Sequence, residues 1–201
     1  MPVIAITGGV ASGKSSFTRL LSRRLPKAQL FDADAAAREL VDHDLETQQK
    51  ILSRFGTEMI GSDGQVNRDR LREAVFGDEQ CRRDLEAILH PRLRTQWTTM
   101  AQAARLHWKW LLVDIPLLFE TGAQGECDSV AVVACSQATQ RARMVSQRGL
   151  TVEMAEKIIA SQASLAFKAA QADFVIWNEA PLARLEEQAE LFAGTLEERY
   201  G

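Results

Sequence analysis

The protein has 201 residues, enough for one compact domain with its own hydrophobic core and no need of disulfide or metal staples. Hydrophobic residues make up 46% of the chain and charged residues 25%, as in ordinary globular proteins. The formal net charge of −3 argues against a broad nucleic-acid-binding surface, which needs strong or clustered basicity. An anionic ligand would therefore have to be held by a local site.

The cysteines and histidines form no recognisable metal or disulfide pattern. Cys81, Cys127 and Cys135 are widely spaced and odd in number, which favours free thiols in a reducing compartment. The N-terminal segment lacks the basic region and cleavage site of a signal peptide, and no apolar run approaches the roughly 20 residues of a membrane helix. We expect a cytoplasmic protein with neither a membrane nor a nucleic-acid partner.

The apolar pattern predicts five short strands that alternate with helices. In chain order it indicates strand 3–7, helix 14–25, strand 29–31, helices 35–41, 46–55, 68–76 and 79–89, strand 110–115, strand 129–135, helices 137–148 and 152–163, strand 174–176 and helix 182–200. His90-Pro91 interrupts or restarts a helix that continues to about residue 105, since proline is best tolerated in a first helical turn.

This alternation predicts an α/β fold with a parallel sheet covered on both faces. The long helical stretch 42–107 breaks the alternation and suggests a helical lobe inserted into a single domain. The core of that domain would then comprise 1–41 and 108–201.

Residues 8–15 read Gly-Gly-Val-Ala-Ser-Gly-Lys-Ser and fit the phosphate-loop pattern G-x-x-x-x-G-K-[ST]. The motif follows the first buried strand and opens a helix, so its backbone N–H groups and the helix N-terminus can bind phosphate. Lys14 should reach the β- and γ-phosphates, and the Ser15 hydroxyl should bind Mg²⁺. A chance match in a chain this long has a frequency on the order of one per cent. The residues predicted to bind the nucleotide are Gly9, Val10, Ala11, Ser12, Gly13, Lys14, Ser15 and Ser16.

Three carboxylates follow predicted strands, at the edge of the sheet where ligands of α/β proteins bind. Asp32 and Asp34 come after the second strand, and two residues apart in extended backbone they would project to the same side. A kinase needs such a carboxylate to accept a proton from the acceptor hydroxyl, and capping of the next helix is the alternative role. Asp114 ends the third strand and fits a metal-associated role, the alternative being a turn residue before Pro116.

The order of motifs resembles that of the dephospho-coenzyme A kinases along nearly the whole chain. The matching stretches are 7–15, 31–38, 64–76, 89–91, 113–120, 140–148 and 172–178. The Asp-Ala-Asp, His-Pro and Pro-Leu-Leu-Phe-Glu elements are more specific than the phosphate loop.

The resemblance implies a three-layer P-loop kinase fold with a five-stranded parallel sheet, a helical acceptor-binding insertion and a helical lid at 137–165. It implies transfer of the ATP γ-phosphate, with Mg²⁺, to the ribose 3′-hydroxyl of dephospho-coenzyme A, the last step of coenzyme A synthesis. Asp34 would be the general base, and Arg143 and Arg148 the lid arginines. The acceptor would contact Asp32, Asp34, Arg68, His90 and Leu117, and Asn178 would lie at the nucleotide.

Some features leave alternatives open. Eight arginines and no lysine occupy 68–105, and the interleaved acidic residues could pair with most of them, so we expect only one or two to touch substrate. His90 could instead be a helix-break residue. The family's Arg-Asp-Gly after the lid helix is replaced by Gln147-Arg148-Gly149, and its glycine after Asn178 is absent.

Other readings of the same motifs are a nucleoside or nucleoside monophosphate kinase, a GTP-dependent switch and a non-catalytic nucleotide-binding regulator. A nucleoside kinase would not account for the Asp-Ala-Asp and His-Pro elements together. A GTP switch would need an Asn-Lys-x-Asp motif, which the sequence lacks. A non-catalytic regulator would not account for the presence of Asp34. The sequence makes no prediction about oligomeric state.

Overall fold

The computed structural model describes residues 2–76, 78–107 and 110–201. Contacts divide the chain into two compact units. One comprises the residues up to Phe31 together with Met100–Gly201, and the other is Asp32–Thr99. The helical insertion was placed at 42–107 from the sequence, whereas the smaller unit starts at Asp32 and so includes both carboxylates of the Asp-Ala-Asp element.

The described elements follow the predicted alternation closely. In chain order they are β1 (Val3–Gly8), α1 (Lys14–Arg24), β2 (Gln29–Asp32), α2 (Ala33–His43), α3 (Leu45–Phe55), α4 (Arg68–Phe76), α5 (Glu79–Leu106), β3 (Leu111–Asp114), β4 (Ser129–Ala134), α6 (Gln137–Arg148), α7 (Val152–Ala160), α8 (Leu165–Gln171), β5 (Phe174–Trp177) and α9 (Leu182–Tyr200). Short 3₁₀ helices occur at Thr57–Met59 and Ala123–Glu126.

The strands form one five-stranded parallel sheet in the order β2-β3-β1-β4-β5, which confirms the predicted α/β fold. Ile4 of β1 is in register with Leu112 of β3 on one side and Ser129 of β4 on the other. β1 is therefore central, and the chain visits both sides of it in turn. Ligands of open parallel sheets bind at such a switch point, beyond the carboxyl ends of the strands. The loop after β1 starts there.

α1 and α9 pack together over one face of the sheet in the larger unit. Phe17 of α1 and Phe174 of β5 both place their rings against Phe192 of α9, with centroids 5.8 and 5.0 Å apart. The fully buried members of this core include Ile4, Ile6, Phe17, Leu21, Leu112, Ala131, Val133, Ala189 and Leu196. β1 and β4, enclosed on both faces, are buried at every position, so they read in sequence as continuous apolar runs.

The smaller unit has an apolar cluster of its own. Its buried members are Val41, Ile51, Phe55, Met59, Val66 and Leu71, contributed by α2, α3, α4 and the turns between α3 and α4. α3 begins at Leu45 because Asp44 caps it, accepting a hydrogen bond from the Thr47 N–H at 2.7 Å. The helical insertion thus has an independent packing core.

The structure corrects the expected helix break at His90-Pro91. α5 runs without interruption for 28 residues with Pro91 inside it. An interior proline costs a helix about 3 kcal/mol. Burial of Trp97, which is 2% exposed, is worth about 4–6 kcal/mol at ~25 cal/mol per Å², so tertiary packing outweighs the proline. Among the described residues, no helix is both long and apolar enough to span a membrane, and this includes α5.

A second correction concerns the predicted helix 152–163. α7 ends at Ala160, and a separate helix, α8, follows after a short connection. Ser164 caps α8 by accepting a hydrogen bond from the Phe167 N–H at 3.2 Å. The sequence pattern merged this connection with α7, although Gln162 and Ala163 in the connection make contacts that matter at the site.

Two leucines of α9 test the packing of this helix. We expect Leu196→Ala to lower the free energy of unfolding by about 2–5 kcal/mol, because Leu196 is fully buried against the sheet. Leu191→Ala makes the same chemical change at a side chain that is 72% exposed and should cost less than about 0.5 kcal/mol. Urea denaturation of both variants measures the difference. Equal losses would contradict the placement of α9.

Candidate active site

The loop between β1 and α1 leaves a row of backbone donors without partners. Within the described residues, the N–H groups of Ala11, Gly13, Lys14, Ser15 and Ser16 make no hydrogen bond. Three of these open α1, whose N-cap residue Gly13 offers no side-chain acceptor. Unpaired N–H groups at a helix N-terminus attract anions through their own dipoles and that of the helix. The loop therefore has the donor set of a phosphate site.

Three side chains from outside the loop bind the carbonyl groups of residues 10–12. The contacts are Gln140 Nε2 to Val10 O (2.7 Å), Arg143 Nη1 to Ala11 O and Ser12 O (3.2 Å each) and Asn178 Nδ2 to Ser12 O (2.8 Å). Arg143 Nη2 also donates to the carbonyl of Asn178 at 2.9 Å, so the arginine links the loop to the segment after β5.

These contacts set the direction of the loop's N–H groups. In a trans peptide the C=O of one residue and the N–H of the next point in opposite directions, and the described chain contains no cis peptide bond. Gln140, bound to the Val10 carbonyl, therefore turns the Ala11 N–H away from α6. Asn178, bound to the Ser12 carbonyl, likewise turns the Gly13 N–H away from its own amide group. The two donors that precede α1 are aimed away from the side chains that hold their carbonyls.

Glycines stand at two places where these side chains approach the backbone. A Cβ on Gly13 would collide with Asn178 Nδ2, and its φ of 93° is one that other residues rarely adopt. A Cβ on Gly9 would collide in the same way with Gln140 Nε2. Ala11 carries a side chain at φ 56°, a left-handed conformation that costs about 1–2 kcal/mol. The loop shape thus depends on the surrounding side chains as well as on its own sequence.

A fourth side chain binds an N–H group, rather than a carbonyl, of the same segment. Gln162, in the connection between α7 and α8, accepts a hydrogen bond from the Val10 N–H at 3.0 Å. Val10 is therefore held at its N–H by Gln162 and at its carbonyl by Gln140. Neither bond uses the N–H groups that remain available for an anion.

Lys14 lies against Asp114 at the end of β3. Its Nζ contacts Asp114 Oδ1, and the Thr18 hydroxyl donates to Asp114 Oδ2 at 2.9 Å. Asp114 is buried and the Lys14 side chain is nearly so. A carboxylate placed here balances the lysine charge, because an unpaired buried charge is costly.

Asp32 and Asp34 have different environments. Asp32 ends β2 and caps α2, accepting a hydrogen bond from the Ala35 N–H at 2.9 Å. α2 begins at Ala33, between the two aspartates, so the expectation that they share one side of an extended backbone is wrong. Asp34 lies in the first helical turn, is exposed and makes no hydrogen bond or ion pair with any described residue. Arg38, one turn further along α2, is likewise exposed and unpaired within the described ranges.

Most arginines between 68 and 105 have a protein partner. The carboxylate pairs are Arg68–Asp42, Arg72–Asp69, Arg82–Glu86, Arg83–Glu79, Arg92 with Asp44 and Glu46, and Arg105–Asp128. Arg70 donates to the carbonyls of Glu58 and Ile60. Arg68, a predicted acceptor contact, is half exposed and 3.4 Å from its aspartate. The alternative of interleaved surface ion pairs therefore describes this stretch well.

The remaining predicted site residues are accessible to different degrees. Ser15 is exposed, and Leu117 is half-buried in the turn after β3. His90 is half-buried inside α5, and burial lowers the pKa of its imidazole below the ordinary value, against an opposing effect of Glu86. Arg148 ends α6, is exposed and has no hydrogen bond or ion pair in the part of the chain that the structure describes.

Glu179 connects the segment after β5 to the start of α6. Its carboxylate accepts hydrogen bonds from the Ser136 N–H (2.8 Å), the Thr139 hydroxyl (3.0 Å) and the Trp177 indole (3.2 Å). The bonds from Ser136 above all, with those from Thr139 and Trp177, lower the pKa of Glu179 to about 2. This residue stands where the family pattern has glycine, and it ties together the two segments that carry Gln140, Arg143 and Asn178.

Sequence reasoning missed several residues that the structure places around the loop. Gln140, Gln162, Thr18 and Glu179 were not assigned roles in the site. Gln140 and Arg143 could have been grouped, because residues three apart lie on one face of a helix. Gln162 offered no such signal, since it reaches Val10 from 152 positions along the chain.

The comparisons with known proteins agree with the geometry. The family model described as dephospho-CoA kinase matches residues 2–184. The chain is 39% identical over 191 residues to the dephospho-CoA kinase of Symbiobacterium thermophilum, covering 94% of this chain and 79% of the relative. It is 41% identical over 180 residues to that of Anaeromyxobacter dehalogenans, covering 89% and 84%. Both relatives are close enough in length to be compared as whole proteins.

Solved structures give the same result. The dephospho-CoA kinase from Campylobacter jejuni superimposes with a TM-score of 0.71 at 25% identity, covering 98% of this chain and 96% of that one. The shikimate kinase from Acinetobacter baumannii superimposes with a TM-score of 0.56 at 17% identity, covering 99% and 94%, and shares the fold alone.

The depressed pKa of Glu179 predicts a pH-dependent contribution to stability. Because the folded value of about 2 lies below the ordinary 4.5, the contribution is present above the ordinary value and is lost as pH falls towards 2. Glu179→Gln should therefore lower Tm relative to the parent near neutral pH, and the gap should close at acid pH. Thermal melts across this range measure it.

Glu186→Gln provides the matched control for this experiment. Glu186 is exposed on α9 and has no hydrogen bond or ion pair within the described residues. Its replacement should leave Tm unchanged at every pH. A Tm gap for Glu179→Gln that stays constant with pH would show that the carboxylate charge is not what holds α6 to the segment after β5.

Proposed function

The chain belongs to the dephospho-CoA kinase family, which phosphorylates dephospho-CoA with ATP in the final step of coenzyme A biosynthesis, and we propose how its own residues carry out this transfer. The observation that carries the proposal is the set of N–H groups of Ala11 and of residues 13–16, which make no hydrogen bond within the described residues. We propose that these groups bind the β- and γ-phosphates of ATP, while Gln140, Arg143 and Asn178 hold the loop carbonyls away from the anion.

Lys14 supplies the positive charge in this proposal. Its ammonium is paired with Asp114. When phosphate oxygens enter the loop, its ammonium gains anionic partners and stabilises the charge that builds up on the transferring group. Thr18 continues to donate to Asp114, so the carboxylate keeps a partner while the lysine is engaged elsewhere. Lys14 thus contributes to binding and to catalysis.

The residues present suit a magnesium ion bound mainly by the nucleotide. Within the described ranges no group of three or more acidic, histidine or cysteine side chains could hold a metal by itself. Mg²⁺ commonly uses few protein ligands together with substrate phosphates and waters. We propose that the free Ser15 hydroxyl binds it directly and Asp114 through water. When bound, the ion would neutralise charge on the phosphate oxygens.

Asp34 is proposed as the general base that accepts the proton of the ribose 3′-hydroxyl. Its carboxylate is exposed and uncommitted, whereas that of Asp32 is used as the α2 cap. Arg38 lies one helical turn from Asp34 and is a candidate partner for an anionic acceptor. Asp32, Arg68 and His90, all in the smaller unit, are proposed contacts of dephospho-CoA.

The two lid arginines are proposed to act differently. Arg143 donates to carbonyls of the loop and of Asn178, so it shapes the site from behind. Arg148 is uncommitted and ends α6 beside Gly149, whose φ of 65° turns the chain. We propose that Arg148, although displaced by one position from the family pattern, brings charge to the transferring phosphoryl group.

Incubation with labelled ATP and a panel of acceptors tests the proposed function. Dephospho-CoA should be phosphorylated far faster than nucleosides, nucleoside monophosphates or water. Faster labelling of a nucleoside or its monophosphate would assign the site to another P-loop kinase reaction. ATP binding without transfer to any acceptor would leave a nucleotide-binding regulator instead.

The base assignment predicts a large effect from a small change. Asp34→Asn keeps the size of the side chain but cannot accept a proton, so kcat should fall by about 10²-fold or more while ADP affinity stays within about twofold. Asp32→Asn is the matched control, because asparagine also caps a helix well. A severe loss of kcat in Asp32→Asn, with little loss in Asp34→Asn, would reverse the assignment within the pair.

The role of Arg148 is tested in a separate pair of variants. Arg148→Ala should lower kcat by more than about tenfold if its charge reaches the phosphoryl group. Arg141→Ala removes another arginine of α6, one paired with Glu156 and not with the loop, and should leave kcat near the parent value. Changes below about threefold in both kcat and ATP KM for Arg148→Ala, at unchanged Tm, would leave the arginine only the helix-dipole role.

A further inference from the structure

An ion pair between a buried lysine and a more exposed glutamate lies behind the phosphate loop, outside the set of residues used so far. Lys168 of α8 is completely buried, and its Nζ is 2.9 Å from Glu120 Oε1. The two groups are close enough for an ion pair, although their angle does not make a hydrogen bond. Lys168 also lines a small cavity of about 40 Å³ whose wall includes Gly9, Ser12, Gln140 and Gln162. The lysine charge is therefore enclosed next to the loop.

Glu120 also makes a directed contact with the backbone. Its Oε1 accepts a hydrogen bond from the Ala163 N–H at 3.0 Å. Ala163 directly follows Gln162, whose side chain accepts the Val10 N–H at 3.0 Å. A continuous series of contacts thus runs from Lys168 through Glu120 and the 162–163 segment to Val10.

We infer that the Glu120–Lys168 ion pair is a positioning device that fixes Gln162 against Val10 and so sets the shape of the phosphate loop. The segment between α7 and α8 is a short turn whose Gln162 N–H donates to the Ile159 carbonyl at 3.3 Å, and the Ala163 N–H that follows it is bound by Glu120. A buried ammonium needs a counter-charge, because leaving it unpaired costs several kcal/mol. Lys168 thereby holds the carboxylate in place, and the carboxylate holds the Ala163 N–H.

The next step is the effect of Gln162 on the loop. Ala11, which follows Val10, is at φ 56°, and a residue with a side chain keeps such a conformation only when its surroundings enforce it. Gln140 fixes the Val10 carbonyl and Gln162 its N–H, so the peptide planes on both sides of Val10 are held. Without Gln162, the loop can relax from the shape in which its free N–H groups converge. Nucleotide affinity, rather than overall stability, should respond.

Calorimetric titration with ADP tests this inference on the full chain in three variants. Gln162→Leu removes the acceptor of the Val10 N–H. Glu120→Leu combined with Lys168→Leu replaces the ion pair by apolar groups, an exchange that proteins often tolerate without loss of stability. The third variant carries all three changes. Gln171→Leu, at an exposed glutamine at the end of α8, is the matched control.

We expect the first two variants to weaken ADP binding by about tenfold each, the size of one lost buried hydrogen bond. The triple variant should bind no more weakly than the weaker of the two, because both act through the same contact. KM for dephospho-CoA should stay within about twofold and Tm should change little in Gln162→Leu. Gln171→Leu should bind ADP like the parent.

Unchanged ADP affinity in Gln162→Leu would overturn the inference, as would losses that multiply in the triple variant. If the leucine pair does not fold, Glu120→Gln takes its place, and parent-like ADP affinity in that variant likewise refutes the device. The inference rests on the proposed function only in assuming that the loop binds nucleotide phosphate. A parent protein that binds ADP but does not phosphorylate dephospho-CoA would reject the proposed function while leaving this inference open to the same titrations.

Discussion

The outward attachment of the loop carbonyls is the constraint on which the rest of the site depends. Phosphate needs several N–H groups that converge, and a peptide chain can present them only if the carbonyls between them find partners elsewhere. Gln140, Arg143 and Asn178 are those partners, and Gln162 accepts the hydrogen bond of the Val10 N–H. The loop is therefore not a self-contained motif. Its shape is maintained from α6, the end of β5 and the connection between α7 and α8.

This constraint gives α6, the predicted lid helix, a structural role as well. α6 carries two side chains that bind the phosphate loop directly, so its first turns belong to the nucleotide site as a structural support. Arg143 makes contacts with three backbone carbonyls, which engage its guanidinium with the loop and with Asn178. Arg148, at the other end of this helix, has no hydrogen bond or ion pair with the residues that the structure describes, and it is the arginine that we propose for the phosphoryl group. Glu179 strengthens the same arrangement by joining the start of α6 to the segment that carries Asn178.

The charged side chains of the smaller unit are arranged differently from those around the phosphate loop. Its arginines are interleaved with acids and most are paired, so its positive charge is largely balanced before any ligand arrives. Asp34 and Arg38 differ from these pairs, since both are exposed, uncommitted and one turn apart on α2. A carboxylate and a cation with that spacing suit the proposed acceptor, which carries both a hydroxyl group and a phosphate. In the proposed mechanism, replacement of Asp34 or Arg38 affects the acceptor, whereas changes around Val10 affect the nucleotide.

The sequence by itself determined the parallel α/β fold, the position of the phosphate loop and the family. Buried parallel strands read as apolar runs, and the glycines and Lys14 of the loop are required at fixed spacing by local backbone geometry. Tertiary structure decided the remainder, because it depends on contacts distant in sequence. α5 continues past Pro91 because Trp97 is buried. α2 begins between Asp32 and Asp34, and Gln162 binds Val10, which is 152 positions away in sequence. No local pattern encodes such a meeting, since the energy that selects it comes from packing the whole sheet and its covering helices.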